Sequence, residues 1–180
     1  TMKRYISIIA VLLGTFTLLL SGAAAEDVSL TFYHTSDIHE RSKNLARIAQ
    51  LVEDQRETGA NVLLLASGDW SNKGNLTGLQ TRGEAITEPM GAMNYDVVIP
   101  GNHDYTNGTS RLSELVDKYS VPLTMVNCQW PDGAKPEEFA PYRIFDLKGV
   151  KVGIIGTATK NKAQALDDKL KIIPMEAAVR

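Results

Sequence analysis

The sequence predicts an α/β domain, built from βαβ units around an open sheet with helices on both faces. Two observations predict it: strand-like and helix-like segments alternate along the chain, and Asn61–Ala66 (NVLLLA) is a short, continuously apolar run. Alternation of this kind is the pattern of a parallel sheet with crossover helices. An unbroken apolar run of that length suits a strand buried on both faces.

Taken in order, the first segment stands outside that fold. Lys3 and Arg4 precede an apolar stretch from Tyr5 to Leu20, and Ser21-Gly22-Ala23-Ala24-Ala25 follows. A basic start, an apolar centre and an Ala-x-Ala end are the parts of a secretory signal peptide, cleaved here after Ala25. A stable membrane anchor would want about 20 apolar residues, and this stretch is shorter. No Cys stands at the cleavage position to carry a lipid. The expectation is therefore a signal peptide over 1–25 and a mature chain over 26–180, exported to a bacterial periplasm or the extracellular space. Thr1 before Met2 suggests a conceptual or partial translation.

In the mature chain, Val28–Thr35 alternates and is β-rich, a strand signal. Asn44–Thr58 puts Leu45, Ile48, Ala49, Leu51 and Val52 at helical spacing, with Gly59 as the stop. The Asn61–Ala66 strand follows. Glu84–Asn94 is a weaker helical stretch, in which Pro89 predicts a break or restart. Val97–Pro100 is a third strand, Leu112, Leu115, Val116 and Tyr119 mark a helix, and Leu123–Asn127 is a further strand. Trp130–Pro141 carries three prolines and reads as a loop. Tyr142–Leu147 and Lys151–Gly156 flank Lys148-Gly149, a hairpin signal.

Composition excludes several functions. The 180 residues carry 19 Lys+Arg against 21 Asp+Glu; losing Lys3 and Arg4 with the leader takes the net charge from −2 to −4. Nothing here resembles the basic patch of a nucleic-acid binder. A single Cys excludes an intramolecular disulfide and every Cys-pair zinc or redox motif.

The chemistry-bearing residues follow strands. Asp37-Ile38-His39 comes after the first, Gly68-Asp69 after the second and Gly101-Asn102-His103-Asp104 after the third. In open α/β sheets, functional groups gather beyond the carboxyl ends of the strands. Asp37, His39, Asp69, Asn102 and His103 should therefore meet. Carboxylates, an imidazole and an amide oxygen suit divalent transition metals, and a shared carboxylate holds two such ions about 3.5–4 Å apart. Asp69, the central acid, is the natural bridge. Each motif alone also has an ordinary reading: Asp-x-His by chance, Gly-Asp as a turn, Asn-His-Asp as a helix cap.

In that order and spacing, these motifs resemble the calcineurin-like metallophosphoesterases. YHTSDIH, NVLLLASGDW, MNYDVVIPGNHDY and VKVGIIGTAT look like the 5′-nucleotidase and 2′,3′-cyclic-nucleotide phosphodiesterase branch, from about Leu30 to Thr159. The resemblance implies the N-terminal half of a four-layer αββα sandwich and two divalent ions (Mn, Zn, Co or Fe). It implies that Asp37 and His39 bind the first ion, Asp69 bridges and Asn102 binds the second. His103 would sit with Asn102 against the phosphoryl group of a small nucleotide substrate and stabilise charge or protonate the leaving oxygen.

Two departures stand out. In that branch an Asp usually stands three residues after the motif His and orients it; Thr106 stands there in this chain, with Asp104 as a possible substitute. The family also takes later His ligands, whereas the three histidines here are His34, His39 and His103. The chain then reads as the N-terminal part of a longer enzyme, inactive alone, with an apolar face and sheet edge left open near Gly156. The alternative is a secreted, non-catalytic α/β domain that binds metal.

Other residues read as structural. His34 is packed or beside the site rather than a ligand, Cys128 is a small buried residue, and Trp70 either packs in the core or lines the site. Asn75-Leu76-Thr77 and Asn107-Gly108-Thr109 match the glycosylation sequon, relevant only in a eukaryotic secretory host.

Overall fold

A computed structural model describes residues 27–72, 75–133, 135–158 and 170–179. The signal-peptide expectation falls on residues outside these. Among the described residues, no helix is long and apolar enough to cross a membrane.

The fold is α/β, as predicted. Strands β1 (Leu30–Thr35), β2 (Asn61–Ala66) and β3 (Val97–Val98) form a parallel sheet in that order, with β1 in register from Leu30 opposite Asn61 to Thr35 opposite Ala66. Helix α1 (Leu45–Glu57) makes the first crossover, and α2 (Leu76–Thr81) with α3 (Glu84–Ala92) makes the second. Helix α4 (Thr109–Lys118) follows β3, and a parallel bridge from Val98 to Leu123 extends the sheet. Later come β4 (Cys128–Gln129), β5 (Tyr142–Leu147), β6 (Val150–Ile155), β7 (Lys171–Ile172) and the short helix α5 (Met175–Ala178). β4 pairs with β7, and β5 with β6, both antiparallel.

The core explains the pattern. Val62, Leu63 and Leu64 of β2 are all buried, on alternating sides, which is why this strand shows no polar alternation. Leu45 and Val52 bury the inner stripe of α1, but Leu51, which the helical spacing placed with them, is largely exposed. The helix across Glu84–Ala92 runs through Pro89 without the predicted break. Ile86 and Met90 are buried on either side of the proline, and packing outweighs the local cost of a missing N–H. The predicted strand over Leu123–Asn127 is reduced to bridges at Leu123 and Thr124 before β4. Helix α2 escaped sequence reading: Asn75 caps it by accepting from the Gly78 N–H, while Leu76 and Leu79 point outward.

The β5–β6 hairpin follows its turn chemistry. Lys148 and Gly149 both have positive φ, the backbone of a two-residue primed turn, and Asp146 Oδ1 accepts the Gly149 N–H at 2.8 Å. Its outer face leaves Tyr142, Ile144 and Ile155 exposed, and Phe32 on β1 is 49% exposed. Exposed apolar side chains thus lie on the hairpin and on β1, while Gly156 itself is buried.

Candidate metal centre and cleft

Three loops leave the carboxyl ends of β1, β2 and β3, and the first two lock together through their backbones. Asp37 N–H donates to Gly68 C=O (3.1 Å), His39 N–H to Asp69 C=O (2.9 Å) and Glu40 N–H to Trp70 C=O (2.9 Å). This lacing requires left-handed backbone at Asp37, His39, Glu40, Asp69 and Asn72, all with φ between 45° and 64°. Non-glycine residues visit that region at a cost, and such strain concentrates at functional sites. Gly68 and Gly101 meet so closely that a Cβ on Gly68 would overlap the Gly101 backbone, and one on Gly101 would overlap Asp69. Glycine is needed at both positions.

Within this frame Asp37, His39 and Asp69 offer ligand atoms that lie within 4.8 Å of one another. His39 Nε2 is 3.5 Å from Asp37 Oδ1 and 4.0 Å from Asp69 Oδ2. Its other nitrogen, Nδ1, is 2.9 Å from the Asn72 carbonyl. A carbonyl only accepts, so Nδ1 carries the proton and Nε2 presents a lone pair between two carboxylates. That is how metal-binding histidines are held. The hydrogen bond from the Ser36 hydroxyl holds the Asp37 carboxyl below its ordinary range. The donor set fits a divalent cation.

The second half of the cluster reaches the same place. Asp69 Oδ1 accepts the His103 N–H at 2.9 Å, and the His103 ring lies edge-on to that of His39, with centroids 5.1 Å apart. Asn102 lines a cleft of about 380 Å³ with Asp37, Asp69 and Ser67. Ile155 and Thr157, at the end of β6, form part of its wall and were not singled out from sequence.

Asp104 does not substitute for an acid beside His103. Its Oδ2 accepts the N–H groups of Asp69 (2.8 Å) and Gly101 (2.8 Å); its Oδ1 accepts the N–H (2.9 Å) and hydroxyl (3.0 Å) of Ser71. Both oxygens are committed to clamping one ligand loop to the other. Burial pushes this carboxyl up to about 7, against the pull of those donors. Thr106 is exposed and closes a turn through its N–H to the His103 carbonyl.

Other expectations resolve similarly. His34 lies on the open face of β1 with Nε2 2.9 Å from the Ser67 hydroxyl, beside the cleft rather than in the ligand group. Trp70 is core: it is fully buried and donates Nε1–H to the Thr87 hydroxyl at 3.2 Å. Cys128 is half-buried, its thiol pushed up to about 12 by desolvation. Glu40 and Asn72 were not anticipated. Glu40 is 4% exposed, and burial raises its carboxyl pKa while the Asn72 N–H lowers it.

Comparison with known proteins bears on the family and the fold. The snake venom 5′-nucleotidase of Gloydius brevicauda is 29% identical over 158 residues, which cover 76% of this chain and 26% of that protein. The 5′-nucleotidase of Vibrio cholerae is 29% identical over 152 residues, covering 78% of this chain and 27% of its own length. The chain thus spans about a quarter of the length of these relatives. Among solved structures, the 5′-nucleotidase precursor of Thermus thermophilus superposes with a TM-score of 0.72 at 24% identity, covering 83% of this chain and 33% of that one. The NAD nucleotidase of Haemophilus influenzae gives 0.71 at 24%, covering 82% and 30%. These two structures share the fold. Residues 30–171 match the family described as calcineurin-like phosphoesterase, and the chain belongs to that family.

Proposed function

We propose that this chain carries the first part of an exported phosphoesterase with a dinuclear metal site, which hydrolyses phosphate esters of nucleotides, of the 5′-nucleotidase or 2′,3′-cyclic phosphodiesterase type. Asp69 carries the reading. Its Oδ2 faces His39 Nε2 at 4.0 Å while its Oδ1 accepts the His103 N–H, so one carboxylate reaches both ligand-bearing loops.

Asp37, His39 and Asp69 would hold one ion, and Asp69 with Asn102 a second. Divalent ions held there supply a nucleophile derived from water and neutralise charge on the phosphoryl group. Asn102 orients the phosphoryl oxygens. His103, in its protonated form, stabilises the charge that develops on them and gives its proton to the leaving oxygen. The apposed His39 ring limits how His103 can turn. The chain spans about a quarter of the length of its relatives, and any further ligands would belong to the rest of the whole gene product. The leader over 1–25 would direct export.

Release of phosphate from nucleoside 5′-monophosphates or 2′,3′-cyclic nucleotides by the whole gene product, dependent on Mn, Zn, Co or Fe, is the expected result. Asp69→Asn should lower it by at least about 100-fold, since each metal site loses a ligand. Unchanged turnover in that variant would sink the proposal. Thr106, standing where an acid would orient His103, favours one other reading, a metal-binding domain without catalysis. Calorimetric titration separates them: two ions per chain for the enzyme, one weakly held ion for the binding domain.

A further inference from the structure

Glu40 is an acid with no assigned work, buried directly after the ligand His39. Its backbone is left-handed at φ 64°, and its side chain is almost fully enclosed. Oε1 accepts the Asn72 N–H at 3.0 Å, and the Asn75 amide donates to the Glu40 carbonyl at 3.4 Å. The carboxyl packs against Gly78 of α2, where any Cβ would overlap it. Among the described residues no Lys or Arg pairs with Glu40.

The residue it holds is the one that holds His39. Asn72 sits at φ 62°, gives its N–H to Glu40 and receives Nδ1–H of His39 on its carbonyl. From this chain of contacts we infer that Glu40 is a positioning residue for the metal-binding imidazole. It acts through the Asn72 peptide, in the room that Gly78 leaves for its carboxyl. Without its acceptor, Asn72 relaxes from its strained conformation and its carbonyl leaves Nδ1. The His39 proton then redistributes between the two nitrogens, and Nε2 no longer presents a fixed lone pair to the Asp37–Asp69 pair.

The inference rests on His39 being a metal ligand, and its test keeps the two ideas apart. In the whole gene product, metal-free, long-range ¹H–¹⁵N spectra should place the His39 proton on Nδ1 in the wild type. Glu40→Ala should give a mixture of tautomers and bind Zn²⁺ about 10–100-fold more weakly by competition titration. Glu40→Gln, which keeps an acceptor oxygen, should restore the wild-type tautomer and hold affinity within about threefold. Gly78→Ala, whose Cβ would overlap the Glu40 carboxyl, should shift the tautomer as Glu40→Ala does by displacing that carboxyl. Urea midpoints in EDTA check that each variant is folded. A folded Glu40→Ala or Gly78→Ala with wild-type tautomer and affinity overturns the positioning role, as does a Glu40→Gln no better than Glu40→Ala. If wild type binds no Zn²⁺ at all, the metal reading falls, while the tautomer comparison still tests the contact.

Discussion

Strand β2 and the two strands of the β5–β6 hairpin are each six residues long, yet they stand in opposite conditions. β2 lies between β1 and β3 with Val62, Leu63 and Leu64 all buried. The hairpin is held by its own turn and ladder, and leaves Tyr142 54%, Ile144 62% and Ile155 50% exposed. One region derives its order from cover supplied by α1 and distant strands. The other is tied to the sheet by Arg143, whose Nε–H donates to the Thr124 hydroxyl at 3.0 Å, and keeps an unspent apolar face. The loops that carry Asp37, His39 and Asp69 grow from the first region, which explains how five left-handed non-glycine residues persist there: the packed strands beneath them resist relaxation.

The largest effect should come from the centre of the covered strand. Leu64 has no exposed surface, so Leu64→Ala should lower stability by about 2–5 kcal/mol, through lost transfer energy and the cavity left behind. Urea unfolding followed by circular dichroism measures it. A cost below about 1 kcal/mol would mean that β2 is not the packed centre that its burial indicates.

That contrast also explains what was legible in advance. NVLLLA announced a two-sided buried strand because neither face could admit a polar residue, and Lys148-Gly149 announced the hairpin because a primed turn needs positive φ at both positions. The meeting of Asp37, His39 and Asp69 was readable because each follows a strand end within a few residues. Helix α2 was not, because LTGLQT buries no apolar stripe; its anchors are the Asn75 cap and the Gly78–Glu40 contact, the latter spanning distant segments. The clamp at Asp104 was also invisible. Its acceptor role depends on N–H groups of Asp69 and Ser71, which only the folded loops bring beside it.

A smaller effect separates the ionic contacts of the two regions. Glu84, at the start of α3, takes hydrogen bonds from Lys118, the Tyr119 hydroxyl (2.8 Å) and Arg111 (3.0 Å), fastening α3 to α4 over the sheet. Those partners, Lys118 first, depress its carboxyl from 4.5 to about 2. A depressed acid stabilises the fold above its unfolded pKa and loses that contribution as pH falls through the folded value. Glu84→Gln should therefore unfold at lower urea than wild type above about pH 4.5, and the two midpoints should converge near pH 2. The hairpin's counterpart, Lys151 with Asp146 at 3.7 Å, is highly exposed on both sides, and exposed pairs of this kind contribute little. A gap between Glu84→Gln and wild type that stayed constant with pH would show that the ionic cluster does not fasten the cover.

The smallest effect on stability should come from the hairpin face, and there the readout that moves is association. Ile144 is mostly exposed, so Ile144→Thr in the 26–180 chain should change the urea midpoint by less than about 0.5 kcal/mol equivalent. Its apolar surface nevertheless adjoins Tyr142 and Ile155, which lie opposite each other in the ladder, and contiguous exposed patches of this kind drive self-association. Sedimentation velocity at rising concentration should show wild type forming larger species and the Thr variant doing so less. In the whole gene product the same substitution should cost more than in the 26–180 chain if the face is covered there. A monomeric wild-type 26–180 chain, with Ile144→Thr costing as much as a core substitution, would reverse the comparison and place the hairpin with the packed region.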